Sequence, residues 1–273
     1  MNKISLPVSF TIFTSTSGPL SKTYTLENKK IEKTPSAQMY KGAAERGTMP
    51  FKDFVEALSE ATNEQAFGYG LHSDKYAEEV DIVVSGKERP KDNVLSRTKL
   101  FFKYRGNPGV LMLDHDPSEC RSTLTADELI EILTSFDPEI ANAARIVRGS
   151  VSAGVHLAGK KPKNKGFHIY IPVKDASDIP RYGKLLFDYL WLNGHGYIAL
   201  ASNGAMLVRS LIDDAVFSGE RIDFVGRPII QGEGIEYTEP LPKYFPGAYL
   251  DTSKLPGLTD KEARKVRANC AAL

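Results

Sequence analysis

Apolar and polar residues alternate over 8–14 (VSFTIFT) and again over 22–26, on either side of the turn-forming Ser17-Gly18-Pro19. That pattern predicts two strands joined in a hairpin at the start of the chain. Over 51–61 (FKDFVEALSEA) the apolar residues shift to helical spacing, and 80–84 (VDIVV) returns to a strand-like run. The polar, Lys- and Arg-rich stretch 85–97 reads as loop. Val110-Leu111-Met112-Leu113 ends abruptly in Asp114-His115-Asp116-Pro117, the pattern of a buried strand whose last residues emerge into solvent or a cleft. Thr125-Ala126-Asp127-Glu128 spells a capping box that opens a helix, and Pro138 starts another short one. Strands are expected at 146–151 and 168–173, and an amphipathic helix at 179–193 ended by Gly194. Residues 207–217 and 221–225 look like a β pair joined through Ser218-Gly219. A charged, Ala-rich helix over 258–273 follows a proline-rich passage, as a tail or linker.

With 273 residues, 41% hydrophobic and 25% charged, the chain has the make-up of a compact α/β (α+β) protein with one large core or two small ones. No eighteen apolar residues run together and the first residues lack a cleavable signal, so a cytoplasmic protein with no membrane partner is expected. Two cysteines, Cys120 and Cys270, are too few for a disulfide framework or a four-cysteine zinc site. A net charge of +1 gives no global reason to expect a nucleic-acid partner, so that case must rest on local patterning.

Three local features carry chemistry. Side chains two apart on a strand point the same way, so Asp114 and Asp116 would face one site. Two like charges held that close are unfavourable alone, and a pair of divalent cations is a natural reason to keep them; hard oxygen ligands suit Mg²⁺ or Mn²⁺. A solvated Asp-His-Asp turn is the plainer alternative. The second feature is Gly159-Lys160-Lys161-Pro162-Lys163-Asn164-Lys165-Gly166-Phe167-His168, in which glycine permits close backbone approach to a phosphate, lysines add positive charge, and His168 could hydrogen-bond a phosphate oxygen. A basic solvated hairpin and a half-buried histidine are the alternatives there. The third is Ser210-Leu211-Ile212-Asp213, where Asp213 could complete a metal site; Asp223, in Arg221-Ile222-Asp223-Phe224, is a rival with the same local grammar.

In this order and rough spacing, Asp114-x-Asp116, Gly166-x-His168 and Ile212-Asp213 resemble the signature of the archaeo-eukaryotic primase superfamily, in its phage, plasmid and mobile-element type. Ser150-Val151-Ser152-Ala153-Gly154, Arg209-Ser210-Leu211-Ile212-Asp213 with Arg221 beyond, and Gln65-Ala66-Phe67-Gly68-Tyr69-Gly70 add to the likeness, which spans most of residues 1–250. The resemblance implies an N-terminal α/β part over about 1–105 packed on an RRM-like palm over about 106–250, with the active site in the cleft. It implies a primase or primase-polymerase: a nucleotidyltransferase that joins NTPs or dNTPs on a single-stranded DNA template to a primer strand, with a replicative helicase as a partner. By the same likeness Asp114, Asp116 and Asp213 would bind two divalent cations, His168 would contact the incoming triphosphate, and Lys165, Gly166, Arg209 and Arg221 would lie along phosphates. The sequence departs from the family pattern in having Gly166 where a serine often stands.

Two other readings compete. A haloacid-dehalogenase-type phosphatase also uses a strand-terminal Asp-x-Asp and a late Asp-Asp, here Asp213-Asp214, but its motif lies near the chain start and gives Gly166-x-His168 no role. A non-catalytic single-stranded-DNA-binding module would use Phe101, Phe102, Tyr104 and Tyr170 as stacking faces, although aromatics at such spacing are more often core.

Overall fold

A computed structural model of the chain describes residues 7–34, 38–117, 124–162, 166–201 and 203–272. The first strands are β1 (Pro7–Ser15), β2 (Thr23–Glu27), β3 (Lys30–Lys33), β4 (Gly42–Pro50), β5 (Gln65–Gly68), β6 (Glu79–Val83) and β7 (Val94–Ser96). They are followed by β8 (Gly109–His115), β9 (Arg145–Gly149), β10 (Val155–Leu157), β11 (Phe167–Val173), β12 (Tyr197–Leu200) and β13 (Met206–Arg209). The last are β14 (Ile222–Asp223), β15 (Ile229–Gln231), β16 (Ile235–Tyr237) and β17 (Lys243–Phe245). The helices are α1 (Phe54–Glu60), α2 (Ala126–Thr134), α3 (Ile179–Leu192) and α4 (Asp260–Ala271). The protein is a mixed α/β fold.

Ten strands form one sheet in the order β17-β9-β11-β8-β1-β4-β6-β7, with β5 and β14 branching from β1. The branch is the feature that makes a site. One edge of β1 pairs with β4 along its whole length, but the other edge is divided: Thr11 to Thr14 pair with β5, while Ser9 alone meets Gly109 of β8. β8 and the β5–β14 pair therefore leave β1 at different levels.

β8 is covered on both faces, which is why its sequence is a continuous apolar run rather than an alternating one. Leu111, Leu113, Ile169 and Ile171 pack with α2, α3 and α4 in one core. Val110, Met112, Ile146 and Tyr170 pack on the other face with Val8, Phe10, Phe54 and Phe67. α2 has the expected capping box, Glu128 N–H donating to Thr125 Oγ1 and Thr125 N–H to Glu128 Oε2. α3 ends where Gly194 takes φ 80° and His195 N–H bonds back to Leu190 O at 2.9 Å, a glycine-dependent helix stop. α4 packs on α3 through Val266, and Asn269 Nδ2 donates to Trp191 O. No helix among the described residues is long and apolar enough to cross a membrane.

Three expectations are corrected. β1 and β2 do not form a hairpin, because both edges of β1 are taken; β2 instead pairs with β3, through a turn in which Asn28 and Lys29 have φ 50° and 63°, and with β15. Residues 207–217 are not one strand paired to 221–225. Only Met206–Arg209 is extended and it pairs with β12, after which Leu211 and Ile212 bury into the helical core and the chain turns; β14 pairs with β5. The stretch 85–97 is not all loop, since Val94, Leu95 and Ser96 are buried and pair in parallel with β6.

Gly183 of α3 faces the ring of Phe217, where an added Cβ would come within 2.3 Å of Phe217 Cγ. Gly183→Val should cost about 1–3 kcal/mol by overpacking, against a helix-propensity gain below about 1 kcal/mol. Urea unfolding measures it; an unchanged midpoint would contradict the close approach of α3 to this turn.

Candidate active site

Antiparallel register puts Asp114 of β8 directly opposite His168 of β11, and His168 opposite Arg148 of β9. Residues opposite one another share a face, so carboxylate, imidazole and guanidinium stand in a row across three strands. His168 Nε2 lies 3.4 Å from Asp114 Oδ1. Its Nδ1 lies 3.2 Å from Asp223 Oδ1 and 3.2 Å from the Tyr170 hydroxyl.

Asp223 arrives from the other branch of the sheet, on β14. Its side chain is 1% exposed, and its Oδ2 accepts hydrogen bonds from Tyr69 and Tyr170, both at 2.8 Å. Because Tyr170 donates to Asp223, its oxygen is left to accept from His168 Nδ1–H, and a doubly protonated imidazolium between two carboxylates fits these contacts. Burial alone would push the Asp223 carboxyl up, but His168 and the two phenols outweigh it and hold its pKa below the ordinary value. Burial likewise opposes the imidazolium, and Asp223 and Asp114 outweigh it, so the His168 pKa is raised.

Asp114 shows the opposite balance. Burial raises its pKa, His168 opposes the rise, and Asp213, Asp223 and Asp116 add to it. Those neighbours converge through the backbone: Asp213 N–H donates to Asp114 O at 3.0 Å. Asp213 does not sit on a strand as expected. Its Oδ1 caps the turn 214–217 by accepting from Ala215 N–H and also accepts from Arg209 Nη1, each at 3.1 Å. Asp114, Asp116 and Asp213 line one small cavity of about 80 Å³ with Arg209 and Tyr197. Asp114 and Asp213 also line a larger one, of about 390 Å³, with His168, Arg221, Asp223 and Lys22. Among the described residues no three His, Cys, Asp or Glu side chains are already arranged to hold a metal ion.

Of the residues singled out from sequence, Asp114, Asp116, His168, Arg209, Asp213 and Arg221 thus border these two connected cavities. Gly166 lines neither; it is buried on a separate cavity of about 550 Å³, and a Cβ there would come within 2.7 Å of His115 O, so a serine would not fit without a shift of the backbone. Lys165 and Cys120 lie outside the described residues. Phe101, Phe102 and Tyr170 are buried, so three of the four proposed stacking faces are core; Tyr104 is half-buried and donates its hydroxyl to Val216 O.

Sequence reasoning missed three residues. Lys22 lines the larger cavity; burial and Lys33 lower its pKa while Asp114, Asp116 and Asp223 pull it back up. Arg148 is 3% exposed and its Nε has no hydrogen-bond partner among the described residues, an arrangement that is costly unless an anion comes to it. The third is Tyr69, whose only local signal was its place in the Gln65–Gly70 stretch. No family model, no curated protein and no solved structure matches the chain.

The His168–Asp223 pair gives a signed pH dependence. A raised histidine pKa stabilises the fold fully below its unfolded value of about 6.5 and loses that stabilisation as pH rises through the folded pKa. In metal-free buffer the His168 ring protons should titrate above the ordinary imidazole range, and Asp223→Asn should bring that titration down and remove the alkaline loss of thermal stability. NMR titration and thermal melts check both; a His168 titration unmoved by Asp223→Asn would show that the pair is not charged.

Proposed function

We propose that this protein is a DNA primase or primase-polymerase, transferring nucleotides from NTPs or dNTPs to a primer 3′-hydroxyl or an initiating nucleotide on a DNA template. The observation that carries the reading is the convergence of Asp114, Asp116 and Asp213, distant in the chain, on one cavity, beside a histidine clamped by a buried carboxylate. The fold supports it. Apart from β10, which pairs with β16 outside this sheet, β8, α2, β9, β11 and α3 follow the β-α-β-β-α order of an RRM-like unit, and their strands lie side by side as β9-β11-β8. The place beside β8 where such a unit would continue is filled by β1.

The donor set fits two hard divalent cations, Mg²⁺ or Mn²⁺: carboxylate oxygens only, on a side chain whose pKa is raised by burial and by its acidic neighbours. Asp114, Asp116 and Asp213 would hold them. Asp213 would then exchange its contact with Arg209 for the ions, freeing that guanidinium for a phosphate. Bound there, the pair would activate the attacking hydroxyl and stabilise the leaving pyrophosphate.

The remaining residues bind and orient. His168 lines the larger cavity with its Nε2 against Asp114 and its ring held by Asp223 and Tyr170, so it would donate to a phosphate oxygen once Asp114 turns to the cations. Lys22 and Arg221 line the larger cavity and add positive charge there, and the buried Arg148 stands behind His168 on β9. Purely single-stranded-DNA binding is less well supported, because three of the four aromatic faces it would use, Phe101, Phe102 and Tyr170, are buried.

Primer extension with labelled nucleotides tests the reading. Asp116→Asn, at an exposed position, should abolish incorporation by more than the roughly 10–100-fold that loss of a supporting group costs, while the thermal midpoint stays the same or rises as a like charge is removed. Undiminished incorporation by Asp116→Asn or Asp114→Asn would remove the metal assignment.

A further inference from the structure

A third cavity, of about 670 Å³, opens beside the candidate active site between the segment 99–104, α3 and the turn 214–221. Arg221 and Ala215 line both this groove and the larger active-site cavity, so the two are continuous. Its cationic side chains are Lys99, Lys103, Lys184 and Arg221, against Asp214 and Glu220. Lys184 pairs with Asp188 on its own helix. Lys99 and Lys103 are exposed, and among the described residues no ion pair neutralises them or Arg221. Glu220, one of the two acids, is occupied by the Ser218 hydroxyl at 2.6 Å.

We propose that this groove carries the phosphate backbone of a single DNA strand to the carboxylate site. The inference rests on the nucleotidyl-transfer reading and names where the polymer lies. Two of the three aromatic side chains along the groove are closed to stacking, Phe102 at 1% and Phe217 at 6% exposed, and the half-buried Tyr104 has its hydroxyl tied to Val216 O. Recognition here is therefore of charge along a backbone, with little dependence on base, and strongly sensitive to salt. A protein partner would want a buried aromatic or arginine anchor, whereas what the groove offers is Lys99, Lys103 and Arg221, without an ion-pair partner among the described residues, leading to the site where a strand must be read. The chain's net charge of +1 hides this, because the excess is local.

Fluorescence anisotropy with a labelled single-stranded oligonucleotide tests it, using Lys99→Glu/Lys103→Glu and, as a control of equal charge on the β2–β3 turn, Lys29→Glu/Lys30→Glu. The groove variant should raise Kd about tenfold or more at about 100 mM salt and lower the slope of log K against log salt by about 1.4, at about 0.7 for each lost phosphate contact. The control should bind as wild type. Thermal stabilisation of the groove variant by Mn²⁺ with a nucleoside triphosphate should be unchanged, since neither lysine borders the carboxylates. Equal affinity and slope for the groove variant and wild type would overturn the groove alone. Wild-type protein that binds no DNA and incorporates no nucleotide would overturn the parent reading with it.

Discussion

Asp223 is a carboxylate with almost no access to water, and the site depends on how its charge is met. Tyr69 and Tyr170 each donate a hydrogen bond, and His168 supplies the positive charge. A buried ion without such partners would protonate or unfold its surroundings. By holding Nδ1, Asp223 turns Nε2 toward Asp114, and the two carboxylates raise the imidazole pKa. Three segments that are remote in the chain are thereby tied at one point, β5 and β14 from one branch of the sheet and β11 from the other.

The division of β1's second edge makes that tie necessary. Had β8 paired along all of β1, the end of β8 would be buried in a continuous ladder and its carboxylates could not emerge. Because β5 takes the outer half of the edge, β8 separates from β1 and delivers Asp114 and Asp116 into the gap. Opposing tendencies then meet within one small volume. Asp223 is stabilised as an anion by its partners, while Asp114, facing Asp213 and Asp116 as well, is driven toward protonation. His168 beside Asp114 and Arg209 on Asp213 offset part of this crowding of like charge.

Much of this was legible in the chain itself. The apolar run before Asp114 is long enough to be a buried strand, and the capping box at Thr125 and the Gly194 stop are local devices that tertiary contacts had no need to override. The parts that were not legible depend on pairing over distance. Asp213 and Asp223 have the same local surroundings, and only the pairing of β14 with β5, which sets Tyr69 against a residue 154 positions away, gives them different work. Lys22 was hidden by the hairpin assignment, since a residue on a solvent-facing β-ribbon has no reason to meet a carboxylate. Arg148 looked like one more strand residue, because its significance lies in the missing partner, which no sequence pattern shows.

The most direct measurement is a crystal structure of the protein grown with Mn²⁺ and a non-hydrolysable nucleoside triphosphate, read in anomalous scattering. Two peaks about 3.5–4 Å apart among Asp114, Asp116 and Asp213, with the triphosphate reaching His168 and Arg209 released from Asp213, are expected. Manganese bound elsewhere, with the Arg209–Asp213 ion pair intact and His168 still closed on Asp114, would contradict the account.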